Sequence, residues 1–331
     1  MTPTPPLRTR LTELLGVDHP IMLAGMGGVA YAELVAAVSE AGGFGTLGAS
    51  FMRPEKLEKE LAETRARTAK PFGVNALTAV AEDVRRYTPM ITAGGTTLYV
   101  SGLGVDAETV ATMHEAGLLV GSLCGKVRHA VKAVEAGVDL VIATGTEGGG
   151  HTGTVATMAL IPGVVDAVEG RVPVVAGGGI VDGRGLAAAL ALGADGVWVG
   201  TRFAASVEAR RLRGFHEAMI AAREDGTVIT RAYSGKTMRV LRNEWTDHFE
   251  AHPEELRPFP QQRLYAIEQA VTHLGARDDS GVDPAREAYL CGQAVGSVHE
   301  IRTAAEIVSD MAHSAAEILD RIAPARTVDR V

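Results

Sequence analysis

The sequence contains few of the residues that several large protein classes require. Its two cysteines, Cys124 and Cys291, cannot build a disulfide scaffold, and we interpret them as reduced thiols of a soluble cytoplasmic protein. Neither the N-terminal residues nor the longer uncharged runs supply an apolar stretch suited to a signal peptide or a membrane span. The 32 Lys and Arg residues form no block that follows a nucleic-acid backbone, and the net charge is −8. We therefore expect neither a membrane nor nucleic acid as a partner.

Glycine, in contrast, is abundant, with 39 residues in a chain of 331. No Gly-X-Y period is present and 46% of the residues are hydrophobic, which excludes collagen and disorder and allows a large core. The length fits either two domains or one α/β barrel with an additional subdomain.

Between about residues 20 and 201, eight short apolar runs alternate with alanine-rich segments of helical period, which is the pattern of repeated βα units. The predicted strands are Ile21 to Ala24, Phe44 to Leu47, Phe72 to Asn75, Thr97 to Ser101, Leu118 to Leu123, Asp139 to Thr144, Val172 to Ala176 and Gly196 to Gly200. Eight such units favour a closed (β/α)8 TIM barrel, of the α/β class, over a doubly wound sheet.

After residue 201 the pattern changes to charged, proline-rich and aromatic segments. We predict a (β/α)8 barrel domain over residues 1–215, a mainly helical lid subdomain over residues 216–295, and a C-terminal segment, 296–331, that returns to complete the barrel. Within that last segment, residues 303–322 have the apolar period of a helix.

Active sites of (β/α)8 barrels lie at the carboxyl ends of the strands, so the residues after each predicted strand are informative. Most of them are glycine, Glu147 is the one acid, and no lysine stands directly at a strand end. Clustered oxygen ligands for a divalent metal and a lysine for Schiff-base chemistry are both missing, so we predict no metal site. Backbone amides, a histidine and open space remain, and these suit a phosphate-bearing cofactor that supplies the chemistry itself.

Two glycine-rich segments have the spacing of a barrel phosphate site. GGGIVDGRG, residues 177–185, follows strand seven, and GTRF, residues 200–203, follows strand eight. Glycine amides in such turns approach an anion closely, which favours a phosphate site over ordinary turns. Two other motifs fail: GMGGVA, residues 25–30, lacks the later acid of a dinucleotide fingerprint, and SGKT, residues 234–237, lacks the first glycine of a P-loop.

The loop TGTEGGGHTG, residues 144–153, carries a histidine after strand six. A lone histidine is more often structural than catalytic, but glycines on both sides leave His151 unshielded at the barrel mouth. We therefore assign His151 as a catalytic acid or base, a role that the ordinary pKa of histidine suits. Cys124, one strand away, is either a nucleophile activated by His151 or, as we favour, a small buried core residue.

Taken together, these segments resemble the nitronate monooxygenase (2-nitropropane dioxygenase) family of FMN-binding barrels, which includes FMN-dependent enoyl-ACP reductases and NAD(P)H:quinone reductases. The similarity runs through most of the chain, in HPIMLAGM (19–26), AGGFG (41–45), PFGVN (71–75), GTEGGGHTG (145–153), AGGGI (176–180), DGRG (182–185) and GTRF (200–203). By position, the resemblance implies that His151 is the family's catalytic histidine. It implies that FMN contacts Gly25, Met26, Gly27, Asn75, Thr144 and Gly145, and that the FMN phosphate lies on Gly177, Gly178, Gly179, Gly200 and Thr201.

Two positions depart from the family's usual pattern. Gly148 replaces an alanine, and Leu123 stands where a polar residue is often found at the end of strand five, which weakens the transfer of flavin contacts there. The EGGGHTG form of the loop also looks like that of actinobacterial members that act on CoA thioesters in sterol-ring breakdown. An acyl-CoA substrate is therefore among the expectations.

The resemblance leaves the activity open. We favour oxidation of nitronates or nitroalkanes with O2, in which His151 removes the acidic α-proton or holds the nitronate. The alternative is an NAD(P)H-dependent reductase of an enoyl thioester, acyl-CoA or acyl-ACP, or of a quinone, in which His151 orients or protonates the product. A non-redox barrel that binds a phosphate ligand is less favoured.

Partners follow from the same reasoning. We expect a small-molecule substrate, and a homodimer stays open. Four cations of the predicted lid either hold a nucleotide or CoA phosphate or form a solvated basic face; these are Arg231, Lys236, Arg239 and Arg242.

Overall fold

The computed structural model describes residues 7–50, 52–76, 81–102 and 104–322. Its strands are β1 (Ile21–Leu23), β2 (Gly45–Gly48), β3 (Phe72–Ala76), β4 (Leu98–Ser101), β5 (Leu119–Cys124), β6 (Leu140–Thr144), β7 (Gly150–His151), β8 (Val174–Gly177), β9 (Gly196–Val199), β10 (Thr227–Thr230) and β11 (Met238–Leu241). Its α-helices are α1 (Arg10–Leu15), α2 (Ala32–Glu40), α3 (Pro54–Arg67), α4 (Ala81–Ala93), α5 (Ala107–Glu115), α6 (Val127–Glu135), α7 (Thr157–Val168), α8 (Gly183–Ala191), α9 (Thr201–Ala204), α10 (Arg213–Ala221), α11 (Glu244–Ala251), α12 (Gln261–Glu268) and α13 (Ala304–Ile322). Two 3-10 helices cover Pro253–Glu255 and Gln293–Ser297.

Eight parallel strands form the barrel, in the order β1-β9-β8-β6-β5-β4-β3-β2. Backbone hydrogen bonds from Leu23 N–H to Phe44 O and from Phe44 N–H to Ile21 O, both 2.9 Å, join β1 to the start of β2 and complete the ring. The eight predicted strands correspond to these eight, with ends that differ by one or two residues. The predicted TIM barrel is therefore confirmed.

Two apolar layers explain why nearly every residue of the barrel strands is buried. Met22, Leu140 and Ile142 pack inside the barrel with Phe44 and Trp198. Their neighbours along the strands point outward and pack against the surrounding helices; these include Ile21, Leu23, Val141 and Ala143. Because successive side chains of a strand alternate between faces, both faces must be apolar where helices cover the outside.

The helix α13 returns to the barrel and packs mainly against α8 and α2. Its apolar face, which includes Ile307, Val308 and Met311, joins the outer layer of the core. This placement agrees with the helix predicted for residues 303–322. No helix in the described ranges is long and apolar enough to cross a membrane.

Residues 213–297 cover the carboxyl end of the barrel, and we call this segment the lid. It contains the predicted helices, α10, α11 and α12, and also an antiparallel hairpin, β10–β11, that the sequence did not indicate. The strand β11 pairs with β7, the short strand of the loop after β6, with Met238 opposite His151 and Arg239 opposite Gly150. The lid thereby holds the histidine loop in place. The exact domain boundaries stay a prediction.

Candidate active site

A cavity of about 1410 Å³ lies between the carboxyl ends of the barrel strands and the lid. Ten of the twelve predicted site residues line it: Gly25, Met26, Gly27, Asn75, Thr144, His151, Gly178, Gly179, Gly200 and Thr201. The other two lie just beneath its wall. A Cβ atom on Gly145 would be 2.1 Å from Thr157 Oγ1, and one on Gly177 would be 3.0 Å from Thr144 Oγ1, so both glycines allow close packing behind the lining.

The glycine loop after β1 lies directly against Asn75. A Cβ atom on Gly25 would be 2.3 Å from the Asn75 Cβ, which makes glycine necessary there. Asn75 is buried, and its Nδ2 donates to Val100 O at 2.9 Å. This bond holds the amide at the cavity wall and leaves its Oδ1 for a ligand.

The turns after β8 and β9 present backbone N–H groups to the cavity. Gly178 and Gly179 have positive φ angles of 95° and 74°, and within the described residues neither amide donates a backbone hydrogen bond. The first amides of α9, which begins at Thr201, have no acceptor inside the helix. Thr201 Oγ1 accepts from Gly292 N–H at 2.8 Å, which joins this turn to the lid. The arrangement suits an anion such as a phosphate.

Two hydroxyl groups of the lining lack a partner in the described part of the chain. Thr144 Oγ1 and Tyr99 Oη are buried and take part in no hydrogen bond. A buried hydroxyl without a partner is costly, so each indicates a bond that a ligand or water completes. Thr144 is one of the residues predicted to contact a flavin, and the orphaned hydroxyl fits that role.

His151 faces the cavity, and its Nε2 lies 3.1 Å from Ser234 Oγ of the lid. The residue is exposed on its cavity side, while protein atoms surround the rest of the ring and partly desolvate it. This burial lowers the pKa of His151 below the ordinary histidine value, and the charges of Lys236 and Arg263 lower it further. The neutral imidazole is therefore the main form near pH 7, which suits a base or a hydrogen-bonding group.

Glu147, the one acid at a strand end, has a structural role. Its carboxylate accepts hydrogen bonds from the Thr157 N–H at 2.9 Å and from the Thr157 hydroxyl at 2.8 Å. These bonds fix the loop after β6 against the start of α7. The loop also packs under the lid, because a Cβ atom on Gly149 would be 2.6 Å from the Cys291 backbone.

Neither cysteine is activated as a nucleophile. Burial raises the pKa of the Cys124 thiol to about 11 and that of Cys291 to about 12. Cys124 is in contact with the cavity, yet it is 1% exposed and lies in the apolar core, as favoured from the sequence. Among the described residues, the His252, Glu254 and Glu255 cluster is the one group spaced for a metal ion; it is exposed and does not line the cavity.

Of the four lid cations considered from the sequence, one lines the cavity. Lys236 does so, stacked on the Phe259 ring at 4.2 Å. Arg239 is buried and donates to Thr146 O and Thr227 Oγ1, and Arg242 pairs with Asp247 and Glu250 at the surface. Arg231 donates to Gly235 O at 3.1 Å.

The sequence did not single out several residues that the fold brings to the cavity. Lys126 reaches it from directly before α6, Lys132 from α6, and Arg211 from the segment before α10. The three guanidinium nitrogens of Arg211 are buried without a hydrogen-bond partner in the described ranges, and burial lowers the pKa of this group to about 9. His273 and Glu287 of the lid also line the cavity. No local motif marks these positions, because each lies in an ordinary helix or loop.

Comparison with known proteins agrees with the fold. The sequence profile of a family described as nitronate monooxygenase matches residues 8–93 and 83–314. The chain belongs to this family. It is thus an oxidoreductase of a flavin-dependent family.

Relatives within the family carry different names. The chain is 42% identical over 246 residues to (3aS,4S,5R,7aS)-5-hydroxy-7a-methyl-1-oxo-octahydro-1H-indene-4-carboxyl-CoA dehydrogenase of Mycobacterium tuberculosis, covering 74% of this chain and 69% of the relative. It is 30% identical over 318 residues to a probable nitronate monooxygenase of Staphylococcus aureus, covering 82% and 89%. Among solved structures, FabK of Thermotoga maritima matches with a TM-score of 0.86 at 35% identity, covering 95% and 98%.

Proposed function

We propose that the protein is an FMN-dependent oxidoreductase that uses NAD(P)H to reduce the α,β double bond of an enoyl-CoA thioester. The observation that carries the proposal is the size and charge of the cavity. Its volume of about 1410 Å³ exceeds the range of roughly 300–1,000 Å³ that is usual for small-molecule sites. A flavin together with a second large ligand accounts for such a volume better than a flavin with a nitroalkane.

The charges of the lining support a polyanionic second ligand. Eight Lys and Arg residues line the cavity against two Glu, although the whole chain carries a net charge of −8. In the described part of the chain, five of these cations have no carboxylate partner: Arg53, Lys126, Lys132, Arg211 and Lys236. A cavity lined by one sign of charge raises the local concentration of a ligand of opposite sign. The phosphates of coenzyme A have that sign, and the name of the mycobacterial relative includes a carboxyl-CoA substrate.

The residues present fit FMN. The free amides of Gly178 and Gly179 and the first turn of α9 would hold its phosphate, while Asn75 and the orphaned hydroxyl of Thr144 would contact its polar edge. When bound, FMN would supply the redox chemistry, namely hydride transfer from NAD(P)H to the β-carbon of the substrate.

The protein's own residues orient the substrate. His151 is held by β7 and Ser234 and is mainly neutral near pH 7, so it suits a hydrogen bond to the thioester carbonyl. The lid closes over the loop that carries His151, since β11 pairs with β7 and Gln293 N–H donates to Glu147 O at 2.8 Å. The lid therefore fixes this loop, and with it His151, at the cavity.

The decisive experiment is anaerobic transient kinetics on the purified protein. We expect a yellow protein whose flavin absorbance is bleached by NAD(P)H and recovers when enoyl-CoA is added. Recovery with quinones alone would contradict the thioester proposal. A colourless protein that takes up no FMN would overturn the flavin assignment as well.

Oxidation of a nitronate is the second candidate function, and His151 is the observation that favours it. A neutral imidazole beside Lys236 and Arg263 suits removal of an α-proton and retention of the anion that forms. If nitronates are oxidised with O2 at a higher kcat/KM than enoyl-CoA is reduced, this candidate replaces the first.

A further inference from the structure

A second histidine faces the cavity from the lid. His273 lies after α12, and its Nδ1 is 2.7 Å from Glu287 Oε2, while its backbone N–H donates to Glu287 Oε1 at 2.7 Å. The Glu287 side chain is 3% exposed and that of His273 is 26% exposed. Both residues line the cavity. The carboxylate therefore fixes the histidine through its backbone N–H and Nδ1, and part of the ring stays exposed to the cavity.

The bond between the two side chains decides which nitrogen exchanges a proton. A carboxylate accepts hydrogen bonds and does not donate them, so Nδ1 carries a hydrogen that it donates to Glu287. Nε2 is then the nitrogen left to exchange a proton with a ligand, and the buried carboxylate lies on the opposite side of the ring. His151 has no such partner, since its hydrogen bond goes to the Ser234 hydroxyl.

The loop that carries His273 lies against the proposed flavin site. A Cβ atom on Gly28 would be 2.9 Å from Gly275 N and 3.1 Å from Leu274 Cβ, so this loop touches the glycine loop after β1. Arg277 donates to Glu33 of α2 at 3.0 Å, which fixes the same loop to the barrel. His273 is thus held at the cavity by contacts on both sides.

We propose that His273 is the general acid of the reaction, with Glu287 as its positioning residue. This role rests on the proposed enoyl-thioester reduction. The N–H bond at His273 Nε2 breaks and a C–H bond forms at the α-carbon, while the β-carbon receives the hydride that NAD(P)H supplies through the flavin. The C=C π-bond provides the electron pair for the new α-C–H bond. His273 keeps its Nδ1–H bond to Glu287 and regains a proton from solvent at its exposed edge.

The test separates the two half-reactions in His273→Gln and Glu287→Gln variants of the FMN-loaded protein. We expect reduction of the flavin by NAD(P)H to be unchanged, because the acid takes no part in it. Reoxidation by enoyl-CoA should slow by about 100-fold in His273→Gln, the usual contribution of a general acid. It should slow by about 10-fold in Glu287→Gln, because the amide no longer fixes the Nδ1–H tautomer.

His114→Gln is the matched control. His114 also pairs with a carboxylate, with Nε2 2.8 Å from Asp139 Oδ2, but it does not line the cavity, so both half-reactions should match the unaltered protein. Should either variant fail to fold, the other still carries the test, and thermal unfolding of the FMN-loaded forms identifies that case.

The outcomes distinguish the two proposals. If the unaltered protein does not transfer electrons to enoyl-CoA, both the proposed function and the proposed role of His273 are wrong. If it does, and His273→Gln reoxidises at the same rate with the same incorporation of solvent deuterium at the α-carbon, the general-acid assignment alone is wrong.

Discussion

The two walls of the cavity are built in different ways. The barrel wall is built around glycine turns that expose backbone amides, at residues 25–28, 178–179 and 200–201, and it also carries Lys126 and Lys132. The lid wall consists of long side chains, among them Lys236, Phe259, Arg263 and His273. Backbone groups cannot change without changing the fold, whereas side chains change one at a time. We therefore expect the barrel wall to hold the cofactor and the lid wall to determine the substrate.

The largest effect is expected where the two walls are joined. Arg210, just before α10, donates to Glu60 at 2.8 Å and to Glu33 at 3.0 Å, and its guanidinium stacks on the Tyr31 ring at 3.7 Å. Arg210→Met leaves the fully buried Glu60 carboxylate with Lys56 as its remaining cation, so we expect a loss of about 3 kcal/mol of unfolding free energy in urea.

The pH dependence of that loss follows from Glu60. Burial raises its pKa, but hydrogen bonds from Lys56 and Arg210 outweigh this effect and the net pKa is lowered. A lowered folded-state pKa contributes stability above the unfolded-state value and loses it as pH falls through the folded-state value. The difference between Arg210→Met and the unaltered protein should therefore shrink in acid. Arg213→Met, at an exposed pair with Glu217, is the control and should not change stability measurably.

His151→Gln tests the loop that lies between the two walls. We expect kcat for enoyl-CoA to fall by about 100-fold, since an acid–base or orienting group typically contributes that much. FMN content and stability should stay unchanged because the ring makes one hydrogen bond to the protein, to Ser234. Full turnover with both enoyl-CoA and nitronate would show that His151 is not catalytic.

Gly178→Val tests the proposed phosphate site in the barrel wall alone. The residue has φ of 95°, and an added Cβ would be 2.9 Å from Thr157 Oγ1 and 3.0 Å from Gly145 O. The strain and the displaced turn should raise the Kd for FMN by about 10-fold or more, measured by fluorescence titration. Gly117→Val is the control: its φ of 78° imposes similar strain, but no atom lies within 4 Å of the added Cβ and it does not line the cavity. Equal weakening in both variants would contradict the phosphate site.

Removing two cations at and directly before α6 tests whether the charge of the cavity lining binds the CoA phosphates. The double variant Lys126→Gln, Lys132→Gln should raise KM for an enoyl-CoA by about 10-fold, because each cation near a phosphate contributes a fraction of a kcal/mol to about 1 kcal/mol. The same thioester on pantetheine, which lacks the nucleotide, should show no change. Equal effects on the two substrates would place the CoA phosphates elsewhere.

The smallest effect is a displacement of a pH profile. Burial, followed by Lys236 and Arg263, lowers the pKa of His151. Lys236→Met removes one of the two charges, so this pKa should rise toward its ordinary value, and the acid limb of any activity that needs neutral His151 should move to higher pH. Lys59→Met, at an exposed pair with Glu63 away from the cavity, should leave the profile in place. An unmoved limb in Lys236→Met would show that another group controls it.

Much of the barrel wall could be predicted from the sequence. Strand ends and glycine turns are local features, so Gly25, Asn75, Gly178 and Gly200 were found by their spacing and by resemblance. The lid was harder. The strand β11 of the hairpin pairs with β7, almost 90 residues earlier in the chain, and hydrogen bonding of that range leaves no local period. For the same reason the sequence pointed to Arg239 and Arg242, which the structure engages in bonds of their own, and not to Lys126 or Lys132.

The sequence by itself determined the barrel, its eight strands, the family and the histidine at the mouth. Alternating apolar strands and helical segments have few ways to bury both faces, and glycine marks the turns where a ligand needs room. The tertiary structure alone decided how the side chains of the lid are used. It placed the Glu287 carboxylate against Nδ1 of His273 and paired Arg210 with two carboxylates. It left Arg211 without a carboxylate partner among the described residues. Charge interactions depend on distance and burial, and neither quantity is encoded in a short stretch of chain.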